Sequence, residues 1–156
     1  MLSVAPRAGI VAAIAGLIAA VAPAGAVAAP ACPAAVSPGD ESALTAMINQ
    51  TRRANGLAKV SGDKVLKVAG RKKSLAMAKG GAFAHSASSS KLPWAEGRAA
   101  GQNIAMASSA GVAFQAMLAS PGHRQNLLTP SWRYTGVGVA ARCDGMLFFT
   151  INLMAP

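Results

Sequence analysis

Acidic residues are scarce in this chain: its 156 residues hold five Asp and Glu against 15 Lys and Arg, a formal charge of +10. A surface so one-signed attracts anionic partners, of which lipid, cell-envelope polymer and nucleic acid are the common classes. Aromatic residues are also few, at 4%. None interleaves the basic cluster Lys64, Lys67, Arg71, Lys72, Lys73 and Lys79, so bases would find nothing to stack on, and nucleic acid is excluded as the partner. Cysteine occurs only as Cys32 and Cys143, a count and spacing that suggest no metal site. No apolar run reaches the roughly 20 residues that span a bilayer. Internal repeats are absent.

The apolar run Ile10 to Ala22, broken only by Gly16, reads instead as the centre of an export signal. Arg7 supplies its positive start, and Ala26-Val27-Ala28 offers a small-x-small cleavage site. Residues 1–28 are therefore expected to be a signal peptide, 29–40 an N-terminal segment, and 41–156 a single domain large enough for a real core. Arg7 is the only charge of the leader, so the mature chain keeps nearly all of its basicity. A secreted, periplasmic or extracellular monomer with no transmembrane segment is expected. Export makes a Cys32–Cys143 disulfide the default. In the chain-entropy model a loop of about 110 residues is worth a little under ~5 kcal/mol, before native strain is subtracted. Lipidation of Cys32 would need a better acylation signal than Ala29-Pro30-Ala31.

Ser37-Pro38-Gly39-Asp40-Glu41 opens a first helix, with a capping hydroxyl, proline in the first turn and acids beside it. Leu44, Met47 and Ile48 give that helix an apolar face, and Asn55-Gly56 stops it. Asp63 caps a second helix expected to bury Val65, Leu66, Val68, Ala69, Ala76 and Met77 and to end at Gly80-Gly81. Lys64, Lys67 and Arg71 fall on one side of it and read as a solvated basic face. From Ala82 to Gly101 no period holds, and such a long loop in a compact domain tends to be functional or disordered. Ser108 or Ser109 starts a third helix carrying Val112, Met117 and Leu118, and Pro121-Gly122 breaks it before a short turn over His123–Leu128. Val137, Val139 and Ala141 then alternate up to Cys143, Asp144-Gly145 reads as a two-residue hairpin turn, and Leu147, Phe149, Ile151 and Leu153 alternate on the return. The pattern argues for α+β.

Three motifs occur in order: Phe83-Ala84-His85-Ser86, Gly101-Gln102-Asn103-Ile104-Ala105, and Ser120-Pro121-Gly122-His123-Arg124. This arrangement, spanning Glu41 to Leu153, resembles the bacterial branch of the CAP superfamily, which joins cysteine-rich secretory proteins, venom antigen five and plant pathogenesis-related proteins. The resemblance implies a three-layer α/β/α sandwich with a small antiparallel sheet ending in a C-terminal hairpin, and one more strand near Gln102 to Met106. It also implies that His85, Gln102 and His123 line one cavity, where the family places two histidines and two acidic residues. Here the glutamate of that set is Gln102, and the fourth position falls near Ser120.

With no carboxylate in the set, the chemistry is limited. Two imidazoles and a neutral amide should hold a divalent metal such as zinc only weakly, because a catalytic zinc wants three strong ligands. Histidine-based acid–base catalysis needs a partner to orient or charge the ring, and only Glu96 is near in sequence. Neither Ser86 nor Ser120 stands in a nucleophile elbow. Asn103 and Arg124 are expected to support the motifs, Asn103 by satisfying loop backbone and Arg124 by bridging to a carbonyl or acid. The expected function is a secreted binding or envelope-associated module whose His/Gln/His cavity takes a small or lipidic ligand. A metal-assisted or histidine-based envelope hydrolase is the alternative. Gln102 and His123 serving only to tie the loop to the helix is a third reading.

Overall fold

The computed structural model describes residues 33–86, 95 and 97–156. The expected signal peptide, Cys32, Glu96 and most of the serine-rich loop lie outside them. Five strands and four helices occur among the described residues: β1 Ala34–Val36, α1 Pro38–Ala54, β2 Ser61–Gly62, α2 Lys64–Ala78, β3 Ala100–Ala107, α3 Ala110–Ala119, α4 Pro121–Leu127, β4 Tyr134–Arg142 and β5 Leu147–Met154. The strand order is β1-β4-β5-β3, antiparallel throughout, and the two-residue β2 joins β4 in parallel beside β1. The α+β class and the expected strand at Gln102–Met106 are both present. The short strands β1 and β2 carry no sequence period that would announce them.

Helices cover both faces of the sheet. On one, Leu44 and Ile48 of α1, Phe114 and Met117 of α3 and Leu127 of α4 meet Val137, Val139, Phe149, Ile151 and Leu153. Burying side chains of this size contributes about 1.5–3 kcal/mol each. On the other face, Met77 and Ala78 of α2 meet Ile104, Ala140 and Phe148. Because both faces are covered, all eight residues of β5 are buried. The alternation along β5 therefore sorts residues between two apolar layers rather than between core and water.

α2 lies very close to β4. A Cβ on Gly138 would come within 2.1 Å of the Arg71 nitrogen and the Gly70 carbonyl carbon, and one on Gly136 within 2.1 Å of Leu66 and Lys67 backbone atoms. Only glycine lets helix backbone rest on strand backbone in this way. The helix accordingly turns Leu66, Gly70, Ser74, Met77 and Ala78 inward. Val65 and Val68, expected in the core, are 60% and 58% exposed. On α3, Val112 is likewise exposed rather than buried.

The caps follow the sequence in two cases of three. Asp63 accepts a hydrogen bond from the Leu66 N–H and Ser109 from the Val112 N–H. The Ser37 hydroxyl instead donates to the Asp40 carboxylate at 2.6 Å. The hairpin turn has three residues, not two: Arg142 and Met146 close it around Cys143, Asp144 and Gly145. Gly145, at φ 82°, supplies the left-handed residue that a three-residue loop requires.

Arg52 is fully buried at the end of α1. Its guanidinium donates to the carbonyls of Ala58, Leu127, Thr129 and Trp132 at 2.8–3.4 Å, pinning α1 to the chain that follows α4.

Candidate functional site

β3 is the edge strand of the sheet, and its motif Gly101-Gln102-Asn103 sends successive side chains to opposite faces. Gln102 faces the loop after α2: its Oε1 accepts from the Ser86 N–H at 2.8 Å, and its Nε2 donates to Ser86 Oγ at 3.2 Å and to Asn152 Oδ1 at 2.9 Å. Asn152 in turn donates to the Leu66 carbonyl of α2. Asn103, 1% exposed, reaches the other way. Its Nδ2 donates to the His123 carbonyl at 3.0 Å, and its Oδ1 accepts from Asn126 Nδ2 at 2.8 Å. Gly101 makes room for this, since a Cβ there would lie 2.2 Å from Asn126 Oδ1. The motif thus fastens both histidine-bearing segments to the sheet edge, one through Gln102 and the other through Asn103.

Held in this way, the rings of His85 and His123 stand 6.4 Å apart between centroids, tilted by 47°. His85 is exposed and His123 half-buried. Burial first, and the charge of His85 second, hold the His123 imidazole below the usual histidine range. Near neutral pH this favours a neutral His123 ring, which keeps one lone pair to accept a hydrogen bond. No hydrogen bond to either ring occurs among the described residues. No group of three or more His, Cys, Asp and Glu able to hold a metal is found among them either. Gln102 commits its amide to Ser86 and Asn152. The Arg124 side chain is exposed, with no hydrogen bond or ion pair among the described residues.

A second polar feature lies on the opposite sheet edge, and sequence reasoning missed it. Glu41, 2% exposed, accepts two hydrogen bonds of 2.7 Å from Arg71, and Lys67 approaches it at 3.3 Å. Burial alone would raise the Glu41 carboxyl, but the hydrogen bonds from Arg71 and Lys67 outweigh it and hold the group below the usual range. The basic face expected to be solvated is therefore partly engaged by an internal acid. The signal was present: Glu41 precedes Leu44 and Ile48 at i, i+3 and i+7, on the buried stripe of α1. Beside it a groove of about 570 Å³ runs between α1 and α2, floored by Thr135, Gly136 and Val137.

The model of the cysteine-rich secretory protein (CAP) family matches residues 45–153. The chain belongs to that family. Among solved structures, an outer surface protein of Borrelia burgdorferi superposes with a TM-score of 0.69 at 14% identity, over 80% of this chain and 98% of that one. An extracellular protein of Bacillus anthracis containing an SCP domain gives 0.62 at 25% identity, over 76% of this chain and 41% of that one. A cysteine-rich secretory protein of Staphylococcus aureus gives 0.62 at 18% identity, over 76% and 39%. The CAP chain here thus spans about two-fifths of the length of the latter two. No curated protein matches. These likenesses bear out the CAP-type fold, and the neighbours are outer-surface or extracellular by name.

Proposed function

We propose that this CAP protein is an exported, envelope-associated binding module whose ligand, small or lipidic, sits at the His85–His123 pair. The observation that carries the reading is the pairing itself: two imidazoles meet at 6.4 Å with no carboxylate among the described residues arranged to charge or orient them. General acid–base catalysis wants such a partner, whereas imidazoles without one can still give or take hydrogen bonds in recognition. Gln102, Asn103 and Asn126 hold the two rings in register at little entropic cost to a ligand, since the framework is built before binding. Thermal shift of the full chain against palmitate, zinc chloride and solubilised cell-wall fragments tests this. A true ligand at 100 times its Kd stabilises by about 2.7 kcal/mol. That shift should vanish in His123→Ala. A shift that survives His85→Ala and His123→Ala together would move the ligand elsewhere.

Zinc separates binding from hydrolysis more sharply. Gln102→Glu keeps an acceptor for the Ser86 N–H, gives up the donor to Asn152, and adds a negative charge against Ser86, the residue after His85. Affinity for zinc, weak in the wild type, should tighten about tenfold, the equivalent of one pKa unit. Titration calorimetry above the histidine range reads it directly. Tight zinc binding by the wild type, unchanged by the substitution, would instead favour a metal-assisted hydrolase completed by ligands outside the described residues.

Export carries a further expectation, a Cys32–Cys143 disulfide. Cys32 lies outside the described residues, but its neighbour Pro33 accepts a hydrogen bond of 3.0 Å from the Cys143 N–H, at the start of the β1–β4 ladder. That contact, between Cys143 and the residue next to Cys32 in sequence, supports the pairing. Maleimide labelling of the exported protein should find no thiol before reduction and two after it. Two thiols before reduction would sink the pairing.

A further inference from the structure

Among the described residues, the valines that α2 turns outward stay mostly exposed, and they share their face with lysines. Val65, Val68, Lys72 and Lys79 recur at i, i+3, i+7 and i+14, so they form one stripe along the helix, with Lys64 at its head. All five are exposed, the valines by more than half. α2 carries no acid. Lys67 and Arg71, which sequence spacing placed with Lys64, are instead drawn to Glu41, so the outward stripe is a different set from the one the sequence suggested.

We propose that this outer face of α2 is a docking surface for an anionic lipid bilayer. The lysines match the charge of acidic headgroups, each contributing on the order of 1 kcal/mol near such a surface. The valines choose between the two kinds of anionic partner. A hydrated polymer would engage the lysines alone and leave Val65 and Val68 as they are. A bilayer interface takes both, seating apolar side chains at the headgroup boundary while lysines reach the phosphates. Among the described residues no helix is long and apolar enough to cross a membrane, so contact through α2 is peripheral. The surface is independent of the His85–His123 pair and stands or falls separately.

The test is sedimentation of the exported protein with phosphatidylglycerol vesicles, against phosphatidylcholine vesicles and soluble polyphosphate, at low and high salt. Binding to phosphatidylglycerol alone, weakened by salt, is expected. The double substitution Lys72→Gln and Lys79→Gln should weaken it about thirtyfold. Arg53→Gln with Lys59→Gln, which removes the same charge from exposed positions off α2, should change it little. Val65→Ser with Val68→Ser keeps every charge and should still cost about tenfold. Serine and valine have similar helix propensity, so the fold should survive, and a thermal melt confirms it. Three results would each overturn the proposal: no binding to phosphatidylglycerol, equal loss from the off-helix pair, or indifference to the valines. Polyphosphate binding as tight as vesicle binding, unaffected by the serines, would do so as well and assign the face to a polymer.

Discussion

Gly138→Ala should cost at least about 3 kcal/mol, enough to abolish folding in a marginal domain. The new methyl would stand 2.1 Å from α2 backbone atoms, which no rotamer change can move aside. Relief requires lifting the whole helix from β4, and with it Met77 and Ala78 from their contacts with Ala140 and Phe148. The natural control is Gly39→Ala. Gly39 lies in the first turn of α1, where an added Cβ would meet nothing within 4 Å, so the same chemical change should raise stability by about 0.5–1 kcal/mol there. Urea unfolding followed by circular dichroism reads both. A Gly138→Ala protein within about 1 kcal/mol of wild type would mean that α2 does not rest on β4 in this way.

Arg52→Met should be nearly as damaging for a different reason. Methionine fills much of the volume but donates nothing: the Ala58 and Leu127 carbonyls lose the donor shown for them, while Thr129 keeps the Trp132 N–H and Trp132 keeps the Arg133 guanidinium. The bonds to Leu127 and Trp132 are buried. The Leu127 carbonyl, left stranded, costs about 1–3 kcal/mol by itself, and the Ala58 carbonyl adds to it. Arg52→Lys keeps the charge and loses the fork, so an intermediate loss is expected. Amide exchange should accelerate first between residues 127 and 132, because Arg52 is what closes that stretch onto α1. If Arg52→Met matched the wild type in both stability and exchange, the guanidinium would not be the clasp the geometry makes it.

What sequence revealed depended on how each element packs. The C-terminal hairpin was legible because Val137, Val139, Phe149, Ile151 and Leu153 face a wall of large side chains, which imposes a period of two. Asp63 and Ser109 were legible as caps because capping is a local hydrogen bond. The inward face of α2 was not, because it meets the sheet through Gly70, Ser74, Gly136 and Gly138. Hydrophobic periodicity looks for bulk, and close backbone contact leaves none to find, so periodicity puts the valines inside. Glu41 and Arg52 escape such a reading for a related reason: each is a charge on an apolar stripe whose partners lie far along the chain. The motif residues His85, Gln102 and His123 stand out by their neighbours in sequence. Gln102 holds Ser86 and Asn152, contacts that no spacing could announce.

The glycine seat under α2 also fixes an angle. A helix resting on side chains can roll by small repacking, but one resting on strand backbone at Gly136 and Gly138 has no such play. Its outward stripe therefore keeps a constant bearing relative to the sheet, and so to the far edge where β3 carries the histidine pair. Whatever plane α2 rests against, the His85–His123 pair stands at a set height and tilt above it. Two glycines thus act as the protractor of the molecule, and a substitution that merely rotated α2 would re-aim its stripe relative to the histidine pair without touching either ring.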